Sequence, residues 1–131
     1  MGGFLGKLVV VKVSEAHSGG RAQWALEQPL AFDSVVYGQT ITVPAGFLTD
    51  FASVPRAPIS YWLAGDTAHA SAVIHDYLCR IDYPAGRIGW AWAAAVFREA
   101  MEAEGVPAWR RAIMHWAVAG ADPANQWKDE A

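Results

Sequence analysis

The sequence predicts an α+β domain in which an antiparallel β-sheet is followed by a long loop and three packed α-helices. Short β-branched or alternating runs fill the first half of the chain, whereas apolar residues in the second half recur at helical spacing. Strands followed by helices are typical of this class. The 131 residues suffice for one domain with a substantial core and are too few for two.

Four parts follow one another within this single domain, 1–131. We expect a strand-rich part over 1–45, a motif-bearing loop over 44–66, a helical part over 67–122 and a flexible polar tail over 123–131. An irregular connection as long as the loop is commonly functional.

The strands are predicted from β-branched and alternating runs. A β-branched run covers 8–13, and turn residues occupy 18–20 before an alternating run over 23–27. Pro29 interrupts this second run, which suits a strand end. A further strand is predicted within 35–43, with a possible turn at Gly38 and its strongest strand pattern over 40–43.

The helices are predicted from apolar spacing and from helix boundary residues. The first helix runs over 68–82 after an N-cap at Asp66 or Thr67, and the second runs over 89–104 and ends at Gly105. Pro107 fits the first turn of a third helix. The buried stripe of the second helix is predicted to be Trp90, Ala94, Phe97 and Met101. That of the third is predicted to be Trp109, Ile113, Trp116 and Gly120.

Composition excludes several classes of function. The net charge is −3, and no basic cluster is longer than Arg110-Arg111, so binding to nucleic acid through phosphate neutralisation is not expected. The lone Cys79 excludes an internal disulfide and a cysteine-rich zinc site. No signal peptide and no membrane span are predicted, so we expect a protein made and folded in the cytoplasm without processing.

Ionisable residues inside two apolar segments are the strongest candidates for chemistry. Asp50 lies in the segment 46–56, and His75 and Asp76 lie in the segment 72–80. Burying an unpaired charge costs several kcal/mol. We therefore expect these three residues to satisfy one another or to line a cleft.

The first predicted helix has three faces when its residues are placed about 100° apart. Asp76 and Arg80 share a narrow polar stripe with His69, and their spacing of four permits an ion pair. His75 points to a flank of small side chains, where another segment can approach closely. The core face is predicted to comprise Ala70, Val73, Ile74, Tyr77, Leu78 and Ile81.

Two interpretations of the polar residues stay open. In the catalytic one, His75 is a general base that Asp50 orients, while Asp76 or Arg56 holds substrate or developing charge. The residues assigned to substrate binding are then Arg56, Ser53 and Tyr77. In the structural one, His75 is a satisfied core residue and Asp50 caps a helical turn that begins near residue 51.

A metal site would draw on the same residues. Asp50, His75 and Asp76 offer the ligand types of an octahedral ion or a facial triad. Adjacent helical side chains such as His75 and Asp76 diverge by about 100°, however, whereas helical metal motifs use spacings of three or four. We therefore predict no metal and no cofactor.

The two segments together resemble a known family. The pattern Gly-Phe-x-Thr-Asp-x-Ala-Ser-x-Pro-Arg over 46–56, followed by Ala-x-x-Ile-His-Asp-Tyr-Leu from Ala72, is similar to the phage and prophage family called domain of unknown function thirteen fifty-three. The resemblance runs from Val43 to about Met114. It implies an origin in a tailed phage, prophage or gene-transfer-agent-like element, and it implies no established activity.

This chain departs from the family pattern at two places. Similar proteins often carry an aromatic residue at the position of Cys79 and an acidic residue at the position of Ala93 or Ala94. If that acid helps to orient His75 in other members, this chain lacks it.

Two functions follow as hypotheses. The first is a virion or tail-assembly component, present in the host cytoplasm during assembly and in the finished particle. Its tryptophans would contact other phage structural proteins or a second copy, and the candidate anchors are Trp62, Trp92, Trp109 and Trp127. The alternative is a small phage-encoded hydrolase that acts on the host cell envelope with His75 and Asp50 as its general base and orienting acid.

Overall fold

The structure, a computed structural model, describes residues 2–14, 23–49 and 69–120, and it confirms the α+β class. In these ranges six strands precede three helices. The strands are β1 (Gly3–Phe4), β2 (Val10–Ser14), β3 (Gln23–Leu26), β4 (Leu30–Ser34), β5 (Gln39–Val43) and β6 (Leu48–Thr49). The helices are α1 (His69–Tyr77), which continues as a π-helical turn (Leu78–Asp82), α2 (Trp90–Ala103) and α3 (Ala108–Gly120).

The strands form two small antiparallel sheets. One has the order β1-β4-β5, and the other has the order β2-β3-β6. In the first sheet Phe32 of β4 lies opposite Ile41 of β5, and both side chains point into the core. In the second, Ala25 of β3 lies between Val11 and Leu48.

Strand β4 was absent from the sequence interpretation, which placed only a break at Pro29. The strand begins directly after that proline and alternates cleanly, with Leu30, Phe32 and Ser34 buried. The strand predicted within 35–43 is found as β5 (Gln39–Val43), and the first four residues of that range form the turn between β4 and β5. Gly38 closes this turn with a φ of +79° and donates its N–H to the Ser34 carbonyl at 3.0 Å.

The core lies between the first sheet and the helices. Val43 of β5 packs with Val73 and Ile74 of α1, and Val96 of α2 joins the same cluster. A second cluster joins α2 to α3 and includes Phe97, which is fully buried. The remaining buried members of that second cluster are Ala72, Ala94, Met101, Val106, Met114 and Val118. The first cluster thus joins the sheet and α1 to α2, and the second cluster joins α3 to α2.

The end of the first predicted helix differs from the expected α-helical pattern. The backbone widens into a π-helical turn, in which Tyr83 donates its N–H to the Leu78 carbonyl at 2.7 Å. The wider turn rotates the side chains that follow it. Ile81, which we predicted on the core face, is consequently 41% exposed, and Asp82 is buried in its place.

The second helix agrees with the prediction in both its boundaries and its stripe. Ala94, Phe97 and Met101 are fully buried, and Gly105 takes the left-handed conformation after the helix with a φ of +83°. None of the helices in the described ranges combines the length and the apolar character that crossing a membrane requires.

The buried stripe predicted for the third helix was wrong. Trp109, Ile113 and Trp116 are 46%, 45% and 77% exposed, whereas Met114 and Val118 face α2 and are buried. Both sides of this helix are apolar, so spacing alone did not decide which side packs. The indole N–H of Trp90 donates to the Val118 carbonyl at 3.0 Å, which fixes α3 with its Met114–Val118 side toward α2.

Candidate functional site

His75 lies in the interface between α1 and α2. Its ring is 4% exposed and packs 4.9 Å from the ring of Phe97 and 6.3 Å from that of Trp90, measured between centroids. Ser71 and Ala72, one turn earlier on α1, are small and fully buried. The prediction that small residues beside His75 let another segment approach is therefore confirmed, and that segment is α2.

The environment of His75 keeps its imidazole neutral. Burial lowers the pKa of His75 to about 4 because the charged form loses its hydration. The Cys79 sulfur lies 3.4 Å from Nε2 of the ring. Burial, and then the nearby negative charge of Asp76, raise the pKa of the Cys79 thiol to about 12. A neutral thiol thus faces a neutral imidazole, which is not the thiolate-imidazolium pair of a nucleophilic cysteine.

Asp76 forms the ion pair that the helical spacing predicted. Its Oδ2 lies 3.2 Å from an Arg80 guanidinium nitrogen. Arg80 also donates to the main-chain carbonyl of Leu48, and its guanidinium lies 4.8 Å from the centre of the Phe47 ring. The pair therefore ties α1 to β6, inside the segment 46–56 and directly before Asp50.

The remaining predicted site residues divide into two groups. The Tyr77 ring is half-buried and meets the Phe47 ring edge-on, with 5.6 Å between the ring centroids. Asp50, Ser53 and Arg56 lie outside the described residues, as do the N-cap candidates Asp66 and Thr67. The predicted pairing of Asp50 with His75 therefore stays a prediction.

The position at which we expect an acidic residue in similar proteins, residue 93 or 94, falls inside the core. Ala93 and Ala94 are both fully buried, and Ala94 shares a cluster with Ala72 and Phe97. An acidic side chain at residue 94 would lie in the layer that packs around His75. With alanine there, α1 and α2 pack closely and that layer carries no charge at this position.

Asp82 is at the centre of a second polar cluster, which the sequence interpretation missed. Its Oδ2 accepts a hydrogen bond from the Tyr37 hydroxyl at 3.0 Å, and its Oδ1 lies 3.2 Å from an Arg87 guanidinium nitrogen. Burial, followed by the hydrogen bond and charge of Asp82, raises the pKa of Tyr37. No sequence signal marked this cluster, because the π-helical turn that brings Asp82 inward breaks the regular spacing.

Glu99 of α2 and Glu104, which directly follows α2, bind a loop and a helix end through hydrogen bonds. Glu99 accepts hydrogen bonds from the Ser34 hydroxyl at 2.6 Å and from the Val35 N–H at 2.8 Å, and so fixes the β4–β5 turn. Glu104 accepts from the backbone N–H of Ser71 at 2.7 Å and from its hydroxyl. Its negative charge therefore caps the first turn of α1.

Metal ligation is not supported in the part of the chain that the structure describes. No three His, Cys, Asp or Glu side chains of residues 2–14, 23–49 and 69–120 come together as a group that can hold an ion. His75 and Asp76, although adjacent, turn to different surroundings: His75 faces the rings of α2, and Asp76 faces Arg80. This divergence is the one expected of neighbouring helical residues.

The comparisons with known proteins identify a family and no relative with a described activity. No curated protein matches the chain, and no solved structure matches it. The family match covers residues 24–118, which include nearly all of β3, strands β4 to β6, His75, the Asp82 cluster and nearly all of α3. The chain therefore belongs to the family described as protein of unknown function (DUF1353).

Proposed function

We propose that the protein is a structural component of a tailed-phage or gene-transfer-agent-like particle and acts in tail or virion assembly. The observation that carries this proposal is the outer face of α3, which we define as Trp109, Ile113 and Trp116. These three large apolar side chains are about half exposed or more. Contiguous apolar surface of this kind marks contact sites in soluble proteins.

Helix α3 carries apolar side chains on two opposite sides, and the outer face is one of them. Its members are spaced by four and three residues, which places them on one stripe, and the opposite side of the helix packs through Met114 and Val118. A helix that carries large apolar side chains on two opposite sides normally packs against neighbours on both sides. A partner that covers the outer face would complete the burial of α3, and aromatic residues dominate the energy of such contacts.

Charge favours a different subunit over a second copy of the chain. The helix Ala108–Gly120 carries Arg110, Arg111 and His115 and no acidic residue. The Arg110 guanidinium lies 5.4 Å from the centre of the Trp109 ring, so a positive charge borders the outer face. Two copies packed through this face would bring like charges together, whereas a subunit with an acidic rim would complement them.

The surroundings of His75 support an assembly role over catalysis. The ring is buried between α1 and α2, and its low pKa makes it a weak base at neutral pH, where general bases work best with a pKa near the operating pH. The Asp76–Arg80 pair joins α1 to Leu48 at the start of the motif loop. Both features suit a polar motif that holds the loop against the helix.

Particle composition tests the proposal. Gradient-purified particles of the element that encodes the protein are expected to contain it in a fixed ratio to the major tail proteins, measured by quantitative mass spectrometry. Ile113→Glu is expected to remove it from particles, while Leu5→Glu, a change at an exposed apolar residue outside the outer face, is expected to leave its incorporation unchanged. Absence of the unmodified protein from particles would contradict the proposal.

Two further measurements separate this proposal from its alternatives. The isolated protein is expected to be monomeric by light scattering. If it is instead a dimer, and Ile113→Glu dissociates that dimer, the partner of the outer face is a second copy of the chain. The hydrolase alternative predicts cleavage of purified cell-wall or lipid substrates by the protein and loss of that cleavage in His75→Ala. We expect neither protein to cleave these substrates.

A further inference from the structure

A cavity of about 260 Å³ opens between the β4–β5 turn and the start of α2. It is separate from His75 and from the outer face of α3. Its walls are mainly apolar, and two polar side chains reach it. The residues that matter are Val36, Tyr37, Arg87, Ile88, Trp92 and Val96.

The charged hydrogen-bond donors of the cavity come from Arg87. The Tyr37 hydroxyl gives its proton to Asp82, so this proton is not available to a ligand. Arg87 uses one nitrogen for Asp82, and its guanidinium carries five N–H donors in all. The Arg87 side chain is 62% exposed, whereas that of Asp82 is 9% exposed. The positive group therefore faces the opening while the negative group lies behind it.

We propose that this cavity binds a small aromatic carboxylate, with its ring against Trp92 and the aliphatic walls and its carboxylate on Arg87. Each oxygen of Asp82 already accepts from Tyr37 or Arg87, so the buried negative charge is compensated before a ligand enters. A guanidinium binds a carboxylate through paired, charge-assisted hydrogen bonds. The exposed indole of Trp92 supplies a flat surface for the ring.

The volume of the cavity suits a ligand with one ring. An apolar cavity of about 150 Å³ holds benzene, and pockets for drug-sized ligands begin at about 300 Å³. The cavity near Trp92 lies between these sizes. The same chemistry is found in a free aromatic acid and in a protein chain that ends in phenylalanine, so the test compares both.

Calorimetric titration with phenylacetate and with its neutral analogue phenylacetamide tests the proposal. Phenylacetate is expected to bind with a dissociation constant of about 1 mM or less, as its ten heavy atoms allow. Arg87→Gln is expected to weaken phenylacetate by about tenfold and to weaken phenylacetamide much less, because only the acid can form a paired, oppositely charged contact with the guanidinium. Trp92→Ala is expected to weaken both ligands. A peptide ending in phenylalanine, compared with its amidated form, shows whether a chain terminus also enters.

Matched controls make the result decisive. Arg80→Gln removes an arginine whose distance to an aspartate is also 3.2 Å but which lies outside the cavity, and it is expected to leave both affinities unchanged. Arg87 and Trp92 are exposed, so their variants are expected to fold, which thermal unfolding checks. Three results would each overturn the proposal: no saturable binding of phenylacetate at roughly 10 mM, equal affinity for acid and amide, or full affinity in Arg87→Gln.

Discussion

Replacing His75 by glutamine is expected to flatten the pH dependence of stability in the mildly acidic range. Burial lowers the pKa of the folded imidazole to about 4, whereas the unfolded chain has an ordinary histidine pKa of about 6.5. Between these values the unfolded state binds a proton and the folded state does not. The stabilisation is therefore complete above the unfolded pKa and is lost as pH falls toward the folded pKa.

The size of the effect follows from the two pKa values. Integrating the difference in bound protons gives a loss of about 2 kcal/mol from pH 7 to pH 5, and a total of about 3 kcal/mol by pH 4. A domain of this size has a free energy of unfolding of about 5–15 kcal/mol, so this loss is a measurable share. His115, whose pKa is lowered by burial and by the charge of Arg98, contributes in the same direction.

Urea unfolding at a series of pH values measures this dependence directly. The difference in slope between the original protein and His75→Gln isolates the contribution of His75, whatever the variant loses in ring packing. His115→Gln is the matched control, and it is expected to retain the larger fall in stability that His75 causes. Identical slopes for the original protein and His75→Gln would refute the assignment of a buried neutral imidazole.

The two glutamates that hold loops and helix ends give further predictions, each measured by the same denaturation experiment. Glu99→Ala is expected to lower the free energy of unfolding by about 2 kcal/mol, because it removes the charged acceptor for Ser34 and the β4–β5 turn. Glu104→Ala is expected to lower it by about 1 kcal/mol, since it removes the cap of α1. Glu102→Ala, exposed on the same helix, is expected to change it by less than about 0.5 kcal/mol, and equal midpoints for all three would contradict both assignments.

Most of the fold could be predicted from local patterns. The three helices were found because apolar spacing and boundary residues such as Gly105 agree with one another. Strand β4 was not predicted because Pro29 was interpreted as a break in the strand pattern. The alternation of Leu30, Phe32 and Ser34 was nevertheless present in the sequence. A proline immediately before a strand lies outside its hydrogen-bonded ladder and does not prevent the strand.

The errors on the helices have two different physical causes. Ile81 was misplaced because periodicity at 100° per residue assumes a regular α-helix, and the π-helical turn at Leu78–Asp82 changes that rotation. The stripe of α3 was misplaced because both sides of the helix are apolar, and tertiary contacts such as that of Trp90 with Val118 decide which side packs. A local pattern contains neither piece of information.

The candidate site was predicted in part. The Asp76–Arg80 pair and the close packing beside His75 follow from helix geometry, which the sequence encodes. The cluster around Asp82 includes Tyr37, which lies 45 positions earlier in the chain, and its formation depends on the π-helical turn. Contacts between residues so far apart in the sequence can be identified only from the three-dimensional structure.

Because Cys79 is partly buried against His75, the reactivity of its thiol can be used to measure local opening of the structure. Cys79 is the single cysteine in the sequence, and in the closed structure its thiol stays protonated because its pKa is about 12. Reaction with an alkylating reagent at neutral pH therefore proceeds mainly when the π-helical turn around Cys79 opens locally and the thiol regains an ordinary pKa. The labelling rate of this one native sulfur then follows the local opening of the turn after α1, with no engineered probe.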